Sequence, residues 1–141
     1  ERSGRIDDAI AAYEEILEFN PELPAVANNL AALIADYRTD KESLEKALRL
    51  AMQFEDSDNP AFLDTLGWVY YRLGDYSEGV PYLEKAVDAA GQVPVLRYHL
   101  GMAYKAAGKP ASAKKQLEEA LADENTSFTG IEDARAALAE L

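Results

Sequence analysis

Few side chains in this sequence are of types that do chemistry, and their spacing argues against most of what they could do. There is one histidine, His99, and no cysteine. A histidine acts as general acid or base when a nucleophile or a paired carboxylate stands within reach. No such partner lies at helical spacing from His99, so it reads as a solvent or groove residue. Glu55, Asp56 and Asp58 resemble the first positions of a calcium loop, but no glycine follows, the distal glutamate is missing and Pro60 interrupts the run. They read instead as a polar turn that caps the next helix. Glu14/Glu15 and Glu118/Glu119 are adjacent carboxylates that point in different directions around a helix, as solvated surface does. The glycines of LGWVYYRLG (66–74) and LGMAYKAAG (100–108) fall on helix faces and form no phosphate loop. The residues therefore predict neither catalysis, nor a metal site, nor a cofactor.

Charge narrows the partners. Twenty-six acidic residues against fourteen basic give a formal charge of −12 over 141 residues. Such a surface repels nucleic-acid phosphates and anionic lipid, and steers basic partners towards it. The same charge also serves solubility alone. The hydrophobic fraction of 48% supplies a core, and no apolar run approaches the length of a membrane span, so no direct membrane insertion is expected. The absence of cysteine does not choose a compartment, since cytoplasmic and exported proteins alike can lack it. No leader pattern is present, and a chain beginning at Glu1 without Met reads as a segment of a longer one.

The strongest signal is internal repetition. Residues 60–93 align without gaps to 94–127, with Leu66/Leu100, Gly67/Gly101, Tyr70/Tyr104, Gly74/Gly108, Leu83/Leu117, Glu84/Glu118 and Ala86/Ala120 in register. Each unit predicts two amphipathic helices around a glycine turn. Leu63, Leu66, Gly67, Tyr70 and Leu73 share one face of the first helix. Gly67 and Gly101 lie on that inward face, where a missing side chain lets the second helix approach; the partner offers Gly79 and Ala86, then Ala113 and Ala120. Gly74 and Gly108 suit the left-handed position that ends a helix. Pro60, Pro94 and Pro110 suit first helical turns. Pro81 should cost its helix one backbone bond or delay its start.

These glycines, alanines and tyrosines, at this spacing, resemble the tetratricopeptide repeat (TPR). The resemblance covers nearly the whole chain and is most specific over 60–127. It implies an all-α fold: an antiparallel helix-pair solenoid (TPR superhelix) with a C-terminal capping helix, read as a single domain, 1–141. Residues 1–23 hold the second helix of a truncated repeat, 24–59 a variant repeat with a longer turn lacking glycine, 60–93 and 94–127 full repeats, and 128–141 the cap. Helices are expected at 5–19, 25–37, 41–54, 61–73, 76–90, 95–107, 110–122 and 131–140.

The resemblance also places a binding surface, since family members use the concave face of each first helix. Asp64, Thr65, Trp68, Tyr71 and Arg72 would lie there, followed by Tyr98, His99, Met102, Lys105 and Ala106, and preceded by Asn28, Asn29, Ala32, Ala35 and Asp36. The expected peptide-binding groove is Asn28, Asn29, Asp64, Trp68, Tyr71, Arg72, Tyr98, His99, Met102 and Lys105, rich in the types found at hot spots. The competing reading packs Trp68 and Tyr98 between helices as core. Asn28 stands where chaperone-binding members have a leading lysine and Ala32 where they have an asparagine, so a carboxylate clamp for chaperone tails is incomplete. NNLAALIADY with the later repeats resembles the C-terminal end of long bacterial TPR proteins, some of which serve envelope exopolysaccharide and protein-sorting systems. The reading is thus a non-catalytic scaffold for a protein or peptide. Its alternative is a structural segment that self-associates through Ile6, Ile10, Tyr13 and Leu17, left without a covering helix. A carbohydrate binder using the aromatic residues ranks behind both.

Overall fold

The computed structural model describes residues 2–141 and is all-helical there. The helices are α1 (Arg2–Phe19), α2 (Pro24–Tyr37), α3 (Lys41–Ala51), α4 (Pro60–Arg72), α5 (Tyr76–Ala90), α6 (Pro94–Ala106), α7 (Pro110–Ala120) and α8 (Ile131–Ala139). Their limits follow local chemistry. Pro24, Pro60, Pro94 and Pro110 occupy first helical turns, where a missing N–H costs nothing. Asp40 caps α3 by accepting from the Ser43 N–H at 2.9 Å, a bond that holds its carboxyl below the usual carboxylate range. Asn59, rather than the acidic residues before it, caps α4 by accepting from the Ala61 N–H at 2.9 Å.

At the other ends, Gly74 and Gly108 take φ of 87° and 80°. The Tyr70 carbonyl accepts from the Asp75 N–H and the Tyr104 carbonyl from the Lys109 N–H, both at 2.9 Å, so both turns close as Schellman motifs. Two expectations need correction. The second helix of the variant repeat stops at Ala51 and tightens into a 3₁₀ turn, Met52–Phe54, that tucks Phe54 into the core. Pro81 does not delay α5, which runs through it from Tyr76, so of the two expected costs only the missing backbone bond remains.

Successive helices pack as pairs, and α2, α4, α6 and α8 also touch one another in that order. Among the described residues, the backbones of α1, α3, α5 and α7 stay apart, and a Lys46–Glu14 ion pair reaches across from α3 to α1. One row in contact and one row splayed make a curved stack, with the first row on the concave side. Within each full repeat the close approach occurs at glycine. A Cβ on Gly67 would sit 2.6 Å from Leu83 Cγ, and one on Gly101 would sit 2.8 Å from Leu117 Cγ. Both leucines are fully buried as a result, together with Leu30 and Leu66.

The first helix of the chain corrects the expected self-association face. Ile10, Tyr13 and Leu17 pack onto the core alongside α2, and Ile6 turns towards the concave side. The apolar side chains left outside are Ile16, 42% exposed, and Phe19, 92% exposed. In register with the full repeats, Ile16 stands where Ala86 is covered by α4. The uncovered strip is therefore the one a preceding helix would cover, a quarter-turn away from the residues expected.

Candidate functional site: the concave cleft

A cleft of about 370 Å³ opens on the concave side. Ser3 and Ile6 of α1, Asp36 and Tyr37 of α2, and Arg38 just after it form one wall. Trp68 and Arg72 of α4 and Tyr98 of α6 form the floor. Thr129, Gly130 and Asp133, entering α8, form the far wall.

The floor is a stack of rings. Trp68, the only tryptophan, lies between Tyr71, with centroids at 4.6 Å, and His99, at 3.9 Å. Its indole N–H donates to Asp36 Oδ1 at 3.1 Å. Behind it His99 Nδ1 meets both Asp64 oxygens at 2.8 and 2.9 Å, and both residues are only 7% exposed. Tyr98 packs against Phe128 and over Gly130, and burial pushes its phenol well above the usual range. Burial likewise raises the Asp36 carboxyl, against the opposing effects of His99 and of the indole hydrogen bond.

The predicted site residues thus separate into groups. Trp68, Arg72 and Tyr98 line the cleft. Asp64 and His99 are buried side chains beneath it, which corrects their expected place on an open surface. Trp68 and Tyr98, each 4% exposed, present edges rather than open faces, so the groove and core readings both describe part of what they do. Tyr71 backs Trp68 and Met102 packs on the core. Lys105 pairs with Glu140 at 2.8 Å, tying α6 to the segment just after α8. Asn28 and Asn29 lie outside the cleft; Asn28 keeps a buried Oδ1 with no hydrogen-bond partner.

His99 has a carboxylate partner after all, 35 residues away. Trp68 reaches Asp36 across 32 residues, Arg72 reaches the Arg38 carbonyl across 34, and Lys105 reaches Glu140 across 35. Neighbouring first helices meet at one repeat length, so the signal for these pairs was the repeat period, not helical spacing. The expected groove left out several cleft residues, among them Gly130, Asp133 and Asp36, the last of which the repeat register had already put on the concave face. Among the described residues, no group of three His, Cys, Asp or Glu side chains is placed to hold a metal.

Two expected outcomes arise here. Gly130 opens α8 at φ 95°, and a Cβ there would lie 2.6 Å from Tyr98 Oη. Gly130→Ala combines a left-handed backbone penalty of about 1–2 kcal/mol with a clash. It should loosen α8 selectively, seen as faster amide exchange over 128–139 while α4 and α5 stay protected. Asp36→Asn retains an oxygen to accept from Trp68 and loses the buried charge. Because the folded carboxyl is raised above its usual 3.8, its cost is absent below that pH, where both folded and unfolded chains are protonated, and sets in as pH rises through the folded value. Asp36→Asn should therefore melt above wild type at pH 7, with the gap closing in acid.

Helix pairs stacked with one row touching and one row splayed define an α-solenoid. The family model described as "Tetratricopeptide repeat" matches residues 70–141, just over half of the chain, and the chain belongs to that family. Its members are generally protein-interaction scaffolds. Among solved structures, a thermophilic TPR protein of Thermus thermophilus, TTC0263, is 23% identical with a TM-score of 0.77, over 99% of this chain and 74% of that one. MamA is 19% identical with a TM-score of 0.69, over 97% and 77%. The first TPR domain of human RPAP3 is 23% identical with a TM-score of 0.55, over 78% and 94%. At these identities the likeness is one of fold. Among curated proteins there is no match. No helix among the described residues is long and apolar enough to cross a membrane.

Proposed function

We propose that the chain is a non-catalytic scaffold that holds a peptide segment of a partner protein in its concave cleft. The observation that carries this reading is the cleft itself: a recess of about 370 Å³ with an aromatic floor, lined by five different helices. Rigid aromatic edges bordered by charged groups are what a recognition site needs for contact area and orientation. The experiment is selection from a random peptide display library, followed by titration of the selected peptide while Trp68 emission is recorded. Binding in the cleft shifts that emission, and Arg72→Ala, on the cleft floor, changes the affinity. A selected peptide that binds tightly and leaves Trp68 emission unchanged counts against the cleft.

Self-association is a second reading, favoured by Phe19 and Ile16 on the uncovered strip of α1. Sedimentation velocity should then give a mass that rises with concentration, and Ile16→Ser/Phe19→Ser should return it to the monomer. A wild-type chain that stays monomeric at high concentration ends that reading.

A further inference from the structure

We infer that the cleft recognises a basic side chain, arginine or lysine, of the bound segment, with its cationic head between Asp36 and Asp133. The inference rests on the cleft being the peptide site and adds the chemistry of the residue that enters it.

The charges in the walls do not cancel locally. Asp36 and Arg38 line one wall, Arg72 the floor and Asp133 the far wall. Arg38 is already ion-paired with Asp7 on α1. The Arg72 guanidinium is held at 3.2 Å on the Arg38 carbonyl. Asp36 takes only the neutral indole N–H of Trp68, through Oδ1. Among the described residues neither Asp36 nor Asp133 has a cationic group at ion-pair distance, so the carboxylates, not the guanidiniums, are left for a ligand. Counting Asp7 with the lining residues, three carboxylates stand against two guanidiniums.

Asp36 is also where a ligand's charge has most effect. Its carboxyl is half-buried, His99 and Arg72 act on it only from beyond ion-pair distance, and a half-buried carboxylate gains more from a cation brought into contact than an exposed one does. The apolar stem of an arginine or lysine would run along the edges of Trp68 and Tyr98, which offer hydrocarbon beside the charge. The molecule as a whole carries −12, and its field draws cationic segments towards the surface before they find the recess.

The test uses three synthetic peptide pools of equal length on a neutral background, carrying one arginine or lysine, one glutamate or aspartate, or no charged residue. Binding to the wild-type chain is read by Trp68 emission and by anisotropy of the labelled peptide. The basic pool should bind best, and Asp36→Asn should weaken it about tenfold, the effect of one lost charge-assisted contact of about 1.4 kcal/mol. Glu42→Gln/Glu45→Gln, on the outer row, changes the net charge by more and should leave that affinity within twofold. If the outer-row variant weakens binding as much as Asp36→Asn does, the attraction is only the general field and the inference is overturned. If acidic or neutral pools bind the cleft equally well, the basic-residue inference falls while the peptide reading stands. If no pool binds, the peptide reading falls with it.

Discussion

Gly79→Ala should lower the stability of this chain by about 2 kcal/mol, although alanine is the better helix former by about 1 kcal/mol. Gly79 sits in α5 against Gly67 in α4. A Cβ on Gly79 would lie 2.7 Å from the Gly67 carbonyl oxygen and 3.2 Å from Tyr70 Cβ. A backbone oxygen cannot swing aside as the end of a long side chain can, so the two helices must separate. Separation pulls Leu83 and Leu66, both fully buried, out of close contact. The reciprocal change, Gly67→Ala, meets Leu83 at 2.6 Å and the Gly79 carbonyl at 3.0 Å and should cost nearly as much. Gly4→Ala in α1, where an added Cβ meets nothing within 4 Å, should be neutral or slightly stabilising. Urea unfolding of the three variants, followed by circular dichroism, separates packing from propensity. Propensity alone predicts a gain in all three.

Trp68→Ala should have a still larger effect, about 3–5 kcal/mol for the lost volume, with a further penalty at Asp36. The indole fills the space between Tyr71 and His99, donates to Asp36, and covers the His99–Asp64 pair. Its removal opens a cavity and leaves the Asp36 carboxylate without its donor. For a domain whose total stability is of order 5–15 kcal/mol, that is a large fraction. Trp68→Phe keeps a ring in the stack and removes only the N–H and the extra ring. It should cost about 1–3 kcal/mol and leave a folded chain at 25 °C. Thermal denaturation distinguishes the two. The practical consequence is that Trp68→Ala cannot serve as a binding mutant: lost binding would report lost structure. Arg72→Ala and Asp36→Asn are the informative changes.

These two positions also show how much was legible in the sequence. Gly67 is readable because the repeat places it one step from an inward leucine, and a glycine kept in a helix face implies a close approach. The helix limits were readable for similar local reasons, since proline at the start and left-handed glycine at the end act within one turn. Trp68 was legible as a residue on the concave helix row, but not in how little of it would remain exposed. The reason is the stacking of successive first helices. Asp36, Trp68 and His99 lie on α2, α4 and α6, and only their summed volumes decide whether the rings lie open or interleave. The same stacking hid the partner of His99, which sits one repeat away rather than one helical turn away. On α1 the sequence pointed to Ile6, Ile10, Tyr13 and Leu17 as uncovered, and Ile6 lines the cleft while the other three do not stay open. Those three pack on the core beside α2, and the exposed strip lies next to them at Ile16 and Phe19. Asp133 and Gly130 were beyond reach for another reason: the turn into α8 matches no internal copy, so the repeat gave no register for it.

The central claim is that the concave cleft is the recognition surface. It is tested most directly by amide and indole NMR spectra of the chain with and without a peptide chosen by library selection. With one tryptophan there is one indole N–H resonance, and it belongs to the cleft floor. The account predicts that this resonance and the amides of Arg38, Arg72, Thr129 and Gly130 move on binding, while those of α3, α5 and α7 hold still. Shifts confined to the outer row, or to Ile16 and Phe19 on α1, with the indole unmoved, would contradict it.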